Sequence, residues 1–202
     1  VDSAHDLPWA AIEYCMKAAG LDWDELDAVG YSLDPALRRQ HACLGDEGDP
    51  LTFGHPVGEA IFQESLARVP LLIATRTGTP FFFVPHHVSH AWYAMGTSPF
   101  ERAIVLVADG IGEGASISLG IGTRSSVCLE EQTFFPASIG IVWEKIARYM
   151  GLSQYDAAKV MALSGLNLTA PADFGRLIAY RSNGLWLDQD VLRVEFPDDF
   201  SG

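Results

Sequence analysis

The sequence is poor in cysteine, in basic residues and in long apolar runs, and each shortage excludes a class of protein. Three cysteines among 202 residues are too few and too scattered for a disulfide framework or a zinc knuckle. Thirteen Lys and Arg against 26 Asp and Glu give a net charge of −13, which repels phosphate backbones. The longest apolar runs, 81–84 and 103–108, are too short to span a bilayer. We therefore expect a cytoplasmic protein that binds neither nucleic acid nor membrane.

What the sequence does contain favours a globular α/β protein. Hydrophobic residues make up 49% of the chain and charged residues 19%, which is typical of a packed domain and excludes a disordered or fibrous protein. Strand patterns and helix patterns are mixed along the chain, which indicates an α/β or α+β sheet covered by helices. The length of 202 residues corresponds to one large domain or slightly more.

Apolar periodicity and turn residues predict the individual elements. Strands are expected at 28–32, 80–84, 103–108, 115–122 and 127–133, and helices at 8–19, 59–67, 86–95, 141–150, 156–163 and 172–180. Residues 33–58 are expected to form a long loop with at most short helices, and the tail from Trp186 an extended, irregular segment. The run 103–108 (AIVLVA) is apolar throughout, which is typical of a strand buried on both faces.

Three histidines in the segment VPHHVSHAW form the first candidate site. On a helix, His86 and His90 lie on one face because they are four residues apart. His87 is turned about 100° away from them, and we expect it to face solvent, a carbonyl group or the substrate. Two imidazoles on one helical face suit a borderline divalent metal. The alternative is a pair of helix histidines that hydrogen-bond to backbone or water.

Asp109 strengthens the metal hypothesis. It follows the buried strand 103–108, at the end of a strand where ligands of open α/β sheets bind. A carboxylate there needs a cation or several hydrogen-bond donors to offset its desolvation. Two histidines and one carboxylate form a three-ligand set that leaves coordination positions open. The alternative is that Asp109 caps the following turn.

A glycine-rich loop, DGIGEG at 109–114, and Lys159 are two further candidates. Backbone amides in such a loop can approach a phosphate closely, although the pattern matches neither a P-loop nor a dinucleotide-binding fingerprint. The bare pattern is equally typical of a hairpin turn. Lys159 could meet an anionic substrate, whereas most helix lysines are simply exposed.

Two stretches resemble the O-carbamoyltransferases, the family that includes nodulation and antibiotic-tailoring enzymes. Residues 86–120 (HHVSHAWYAMGTSPFERAIVLVADGIGEGASISLG) are similar to the family's histidine motif and aspartate-glycine turn. Residues 138–165 (SIGIVWEKIARYMGLSQYDAAKVMALSG) are similar to its next block, a helix followed by a Lys-Val-Met segment. The resemblance extends from about residue 8 to residue 170 and is densest over 85–165.

The resemblance implies a ribonuclease H-like mixed sheet flanked by helices, similar to the threonylcarbamoyl-transfer protein of the actin/Hsp70/sugar-kinase superfamily. It implies a divalent metal, Fe²⁺ in preference to Mn²⁺ or Zn²⁺, held by His86, His90 and Asp109. It also implies that ATP and carbamoyl phosphate yield a carbamoyl-adenylate, whose carbamoyl group then passes to a hydroxyl of a small molecule or glycan. Phosphate-binding residues would be Gly110, Gly112, Glu113 and Gly114, with Lys159 as a substrate-binding candidate. No catalytic residue is assigned.

Measured against that family, residues 1–202 correspond to a partial N-terminal carbamoyltransferase domain. The resemblance implies that the first phosphate-loop strands, the second half of the domain and the domain that makes carbamoyl-adenylate lie outside this sequence. We therefore expect the isolated chain to be inactive, and either to self-associate through an open sheet edge or to bind nucleotide only weakly. Two other functions stay open: threonylcarbamoyl transfer to tRNA, which the acidic charge disfavours, and a non-catalytic module of the same fold that binds metal or nucleotide.

Overall fold

The computed structural model describes residues 7–41, 55–153, 156–166, 174–181, 184–188 and 190–191. The chain divides into two compact units, residues 1–86 and residues 87–202. Within the described residues both parallel and antiparallel strand pairs occur, so the expected mixed α/β class is confirmed. The finer expectation of a ribonuclease H-like sheet stays a prediction. No described helix is both long enough and apolar enough to cross a membrane.

The described part of the first unit contains two short strands, three α-helices and a 3-10 turn at Trp23–Glu25. Its elements are α1 (Trp9–Ala19), β1 (Val29–Tyr31), α2 (Pro35–His41), α3 (Pro56–Ala74) and β2 (Phe81–Phe83). Strands β1 and β2 pair in parallel, with Val29 opposite Phe81 and Tyr31 opposite Phe83. Helix α3 buries Leu66, Val69 and Ile73, which recur at the three- and four-residue spacing of one helical face.

The second unit is built on a three-stranded antiparallel sheet. Its elements are α4 (His86–Thr97, whose first residue belongs to the first unit), β3 (Arg102–Ala108), β4 (Ala115–Thr123), β5 (Val127–Phe134), α5 (Ile139–Tyr149), α6 (Ala157–Ser164), β6 (Ile178–Arg181) and β7 (Gly184–Leu187). The sheet order is β3-β4-β5, with β6 and β7 forming a separate hairpin. Consecutive strands therefore pair, as the sequence predicted for this meander.

Helix α4 covers one face of this sheet through residues four apart. Ala91 and Met95 form a buried cluster with Val105 and Val107 of β3. The helix approaches β4 closely at Gly122, where a Cβ atom would lie 2.4 Å from the Met95 Cγ. A larger residue at 122 would force the buried Met95 and Val105 side chains to shift, so this glycine makes room for the packing of α4 on the sheet.

Two expectations about the elements are wrong. Strand β3 is buried on one face only, because Ile104 and Leu106 are 77% and 65% exposed while Val105 and Val107 face α4. The helix expected at 172–180 is instead a short 3-10 turn, Phe174–Arg176, followed by strand β6. The loop expected at 33–58 contains one short helix, α2, which the prediction allowed, and the first residues of α3; its residues 42–54 lie outside the described residues. Most of the tail from Trp186 likewise lies outside them.

Candidate metal centre

Helix α4 begins directly after β2, and its first residue, His86, is anchored to the strand beside β2. Because β1 and β2 are parallel, their carboxyl ends meet at one edge, which brings Ser32 next to His86. The His86 Nδ1 lies 2.7 Å from the Ser32 carbonyl oxygen. A carbonyl oxygen can only accept, so Nδ1 carries the proton and Nε2 keeps its lone pair. This is the tautomer that presents Nε2 to a metal.

The structure brings together the three residues of the predicted ligand set. His86, His90 and Asp109 each offer one ligand atom, and these atoms all lie within 4.8 Å of one another. The His90 Nε2 is 3.7 Å from the Asp109 Oδ2. Two ligands bound at about 2.1 Å to one ion lie at most about 4.2 Å apart, so a small side-chain adjustment would close the set. The donor types and their spacing fit a divalent metal; the ligand assignment itself stays a prediction.

His87 occupies a different environment from its two neighbours. It is 3% exposed and its Nδ1 lies 2.7 Å from the Ser118 hydroxyl of β4, which also accepts a hydrogen bond from the Gln132 side chain. It therefore does not face solvent, which was one of the expected orientations, while its expected direction away from the metal stays a prediction. The reason is helical geometry, because His87 shares the inward face with Ala91 and Met95.

Asp109 is held in place by the beginning of α5. The Ser138 hydroxyl caps α5 by accepting from the Ile141 amide, and it lies 2.9 Å and 2.6 Å from the carbonyl oxygens of Asp109 and Gly110. Gly140 packs directly on the same turn, since a Cβ there would lie 2.4 Å from the Gly110 nitrogen. The contact therefore requires glycine at 140 and fixes the backbone that carries the Asp109 carboxylate.

Glu144 is a residue of this site that the sequence analysis missed. It lies one helical turn after Gly140, and its Oε1 is 3.5 Å from the position that a Gly110 Cβ would occupy. Burial raises the pKa of the Glu144 carboxyl above its usual value, the Asp109 charge raises it further, and Arg148 opposes both. The four-residue spacing from Gly140 was the available signal, and it acquires meaning only once Gly140 is seen to contact the Asp109 turn.

The glycine-rich loop forms a tight connection between β3 and β4. The Gly110 amide donates to the Asp109 Oδ1 at 2.7 Å, and the Gly112 amide donates to the Ala115 carbonyl at 2.8 Å. Glu113 is buried, at 7% exposed. Both amides thus have acceptors within the loop, as in a hairpin turn, while the phosphate-binding role of Gly110, Gly112, Glu113 and Gly114 stays a prediction.

Lys159 lies on α6 and forms an ion pair with Asp156 at 2.8 Å. Its side chain is 65% exposed. Lys159 is not among the residues that converge at Asp109, and its substrate-binding role stays a prediction.

Comparison with known proteins identifies the family. Residues 44–183 match the family described as carbamoyltransferase N-terminus, which is 140 of the 202 residues. Nodulation protein NolNO of Sinorhizobium fredii is 28% identical over 186 residues, which cover 85% of this chain and 25% of NolNO. An uncharacterized protein of Synechocystis is 29% identical over 87% of this chain and 33% of its own length.

A shorter match involves nodulation protein NolO of Bradyrhizobium diazoefficiens, which is 33% identical over 81 residues, 39% of this chain and 14% of NolO. The chain thus spans between a quarter and a third of the two relatives that it matches over most of its own length. The match to the family covers the helix with the three histidines, the Asp109 turn and the α5 helix that holds it. The chain belongs to the carbamoyltransferase N-terminus family.

Proposed function

We propose that this chain is the metal-binding part of an O-carbamoyltransferase. One observation carries the proposal: in a chain of the carbamoyltransferase N-terminus family, the ligand atoms of His86, His90 and Asp109 come within 4.8 Å of one another. When bound there, a divalent ion would act as a Lewis acid toward a carbonyl oxygen. Fe²⁺ is the preferred ion in this proposal, with Mn²⁺ and Zn²⁺ as the alternatives.

The chain's own residues have two roles in this proposal. The Ser32 carbonyl keeps the proton of His86 on Nδ1, so that Nε2 is available, and Ser138 with Gly140 fixes the turn that carries Asp109. The Asp109 carboxylate also adds one negative charge to the three residues, which favours the binding of a divalent cation over that of an uncharged molecule. The three donors leave coordination positions open for a substrate.

In the proposed reaction, carbamoyl phosphate is hydrolysed to carbamate and phosphate, and a carbamate oxygen then displaces pyrophosphate from the α-phosphorus of ATP to give a carbamoyl-adenylate. The acceptor hydroxyl oxygen then forms a bond to the carbamoyl carbon, the bond from that carbon to the phosphate oxygen breaks, and AMP leaves. The hydroxyl proton is lost to a base or to solvent. The acceptor belongs to the class of small molecules or glycans with a free hydroxyl, and nucleic acid is disfavoured by the net charge of −13.

Paramagnetic NMR tests the proposal directly. The purified chain is mixed with Mn²⁺ and carbamoyl phosphate labelled with ¹³C at the carbonyl carbon. We expect the wild-type chain to broaden the carbonyl resonance, because Mn²⁺ and the carbonyl group would share the site. The His90→Ala variant should not broaden it beyond free Mn²⁺, since the variant has lost one of three ligands.

Zn²⁺ serves as the diamagnetic control, which should bind without broadening. If the wild-type chain retains Mn²⁺ but does not broaden the carbonyl resonance, carbamoyl binding at this site is contradicted. That result would favour a non-catalytic metal-binding module. Absence of metal binding by the wild-type chain, measured by equilibrium dialysis and elemental analysis, would overturn the proposed site.

A further inference from the structure

Glu144 faces the Asp109 turn from α5, and its position is fixed on both sides. One helical turn before it, Gly140 packs against the backbone of Asp109 and Gly110 at distances that admit no Cβ atom. The Glu144 Oε1 in turn lies 3.5 Å from the Cβ position of Gly110. The rigid contact at Gly140 therefore places the Glu144 carboxylate beside the turn that presents Asp109 to the candidate metal centre.

This carboxylate lies in an environment that does not favour its charge. The side chain is half-buried, and both burial and the neighbouring Asp109 charge raise the pKa of Glu144, with Arg148 acting in the opposite direction. A half-buried acceptor held beside a candidate site can receive a hydrogen bond from a ligand's donor.

The chemistry of a carbamoyl group supplies such a donor. A carbamoyl group differs from an acetyl group in that an NH₂ replaces the methyl, while both carry the same carbonyl oxygen. If the carbonyl oxygen is directed at His86, His90 and Asp109, the NH₂ on the same carbon points in a different direction. Its N–H groups then need a hydrogen-bond acceptor once water is excluded. A carboxylate has only acceptor positions, whereas Arg148, the cation that acts on Glu144, can only donate.

We propose that Glu144 accepts a hydrogen bond from the NH₂ of the carbamoyl donor and thereby determines the preference for carbamoyl over acetyl donors. This inference rests on the proposed function and names a specificity residue for it. A site that hydrogen-bonds an NH group rejects the analogue without it, because the acceptor is then left desolvated without a partner.

Two matched donors and two matched substitutions test this role. Binding of carbamoyl phosphate and of acetyl phosphate to the chain equilibrated with Mn²⁺ is measured by calorimetry. We expect the wild-type chain to prefer carbamoyl phosphate by roughly tenfold to a hundredfold. Glu144→Met, which has a similar volume and no oxygen acceptor, should abolish the preference by weakening carbamoyl phosphate alone. Glu144→Gln, which keeps a carbonyl acceptor, should retain part of it.

Metal content and melting temperature are measured for each variant, and Glu130→Met, which removes an exposed carboxylate of β5, serves as the matched control. A carbamoyl preference that persists undiminished in Glu144→Met would overturn this inference and leave the proposed function standing. An equal loss of affinity for both donors in Glu144→Met would also overturn this inference, because that result indicates a general structural role. If the wild-type chain binds neither donor, the proposed function fails, and this inference fails with it.

Discussion

His87 and His90 are three residues apart on α4 and meet opposite environments. The His87 imidazole is buried against the Ser118 hydroxyl, whereas the His90 side chain is 50% exposed and lies 3.7 Å from Asp109. A buried imidazole in a hydrogen-bonded pair contributes to folding, while an exposed one beside a carboxylate contributes little. The two histidines should therefore separate stability from metal binding.

We expect His90→Ala to abolish metal binding with little change in the free energy of unfolding. We expect His87→Ala to lower the free energy of unfolding and to leave metal binding intact. Removal of His87 leaves the Ser118 hydroxyl without one partner and opens a cavity, which should cost about 1–3 kcal/mol. Elemental analysis after dialysis and denaturant unfolding measure the two effects. Equal loss of metal in both variants would show that His86 and His90 are not the ligand pair.

Asp156 and Lys159 allow a prediction about pH. The hydrogen bond from Lys159 holds the pKa of Asp156 below its usual value, and the Ser153 amide acts in the same direction. A carboxyl group whose pKa is lower in the folded than in the unfolded state stabilises the folded state at pH values above its unfolded pKa. This contribution is lost as the pH falls through the folded pKa. We expect Lys159→Met to raise the Asp156 pKa toward its usual value, as measured by carboxyl ¹³C NMR, and Lys17→Met to leave it unchanged.

At the scale of elements, the contact between α5 and the Asp109 turn depends on one glycine. A Cβ at Gly140 would lie 2.4–2.7 Å from backbone atoms of Asp109 and Gly110, and backbone cannot rotate away as a side chain can. Gly96 near the end of α4 has nothing within 4 Å of its Cβ position, so the two glycines form a matched pair.

We expect Gly140→Ala to destabilise the chain by about 1–3 kcal/mol, because α5 must shift. The same shift should weaken metal binding, since it moves Asp109. Gly96→Ala should instead stabilise the folded chain by about 0.5–1 kcal/mol, because alanine has a higher helix propensity than glycine. Denaturant unfolding and metal titration check both variants; a neutral Gly140→Ala would mean that α5 and the Asp109 turn adapt to each other freely.

The elements illustrate what local sequence can and cannot predict. Helix α4 and the meander of β3, β4 and β5 follow from periodicity and from the glycine-rich turn, and they were predicted within a few residues. The exposed face of β3 could not be predicted, because an apolar run states only that a strand can be buried on both faces. Strand β6 was missed because its four residues pair with β7, a contact that no local pattern records.

The candidate site shows the same division. The four-residue spacing of His86 and His90 and the place of Asp109 after a strand were enough to predict that the three would meet. Glu144 was not predicted, because its role depends on α5 returning to the turn 30 residues earlier in the chain. Spacing within one element can be read from the sequence, whereas contacts between distant elements require the fold.

At the scale of the whole molecule, the outer face of β3 predicts self-association. In the described sheet β3 pairs only with β4 and forms an edge, and Ile104 and Leu106 are exposed beside it. An apolar strand at a sheet edge favours pairing with another chain, here a second copy. The charge of −13 on each copy opposes this, so association should strengthen as salt screens the repulsion.

We expect sedimentation velocity to show a concentration-dependent mixture for the wild-type chain and a monomer for Leu106→Lys. The lysine places a charge on the edge strand at a position already 65% exposed, so folding should be unaffected, as circular dichroism can verify. Leu71→Lys is the matched control, since Leu71 is 69% exposed on α3, away from this edge strand in sequence and element. It should leave association unchanged. A wild-type chain that stays monomeric at every concentration and at high salt, or equal effects of the two lysines, would contradict association through β3.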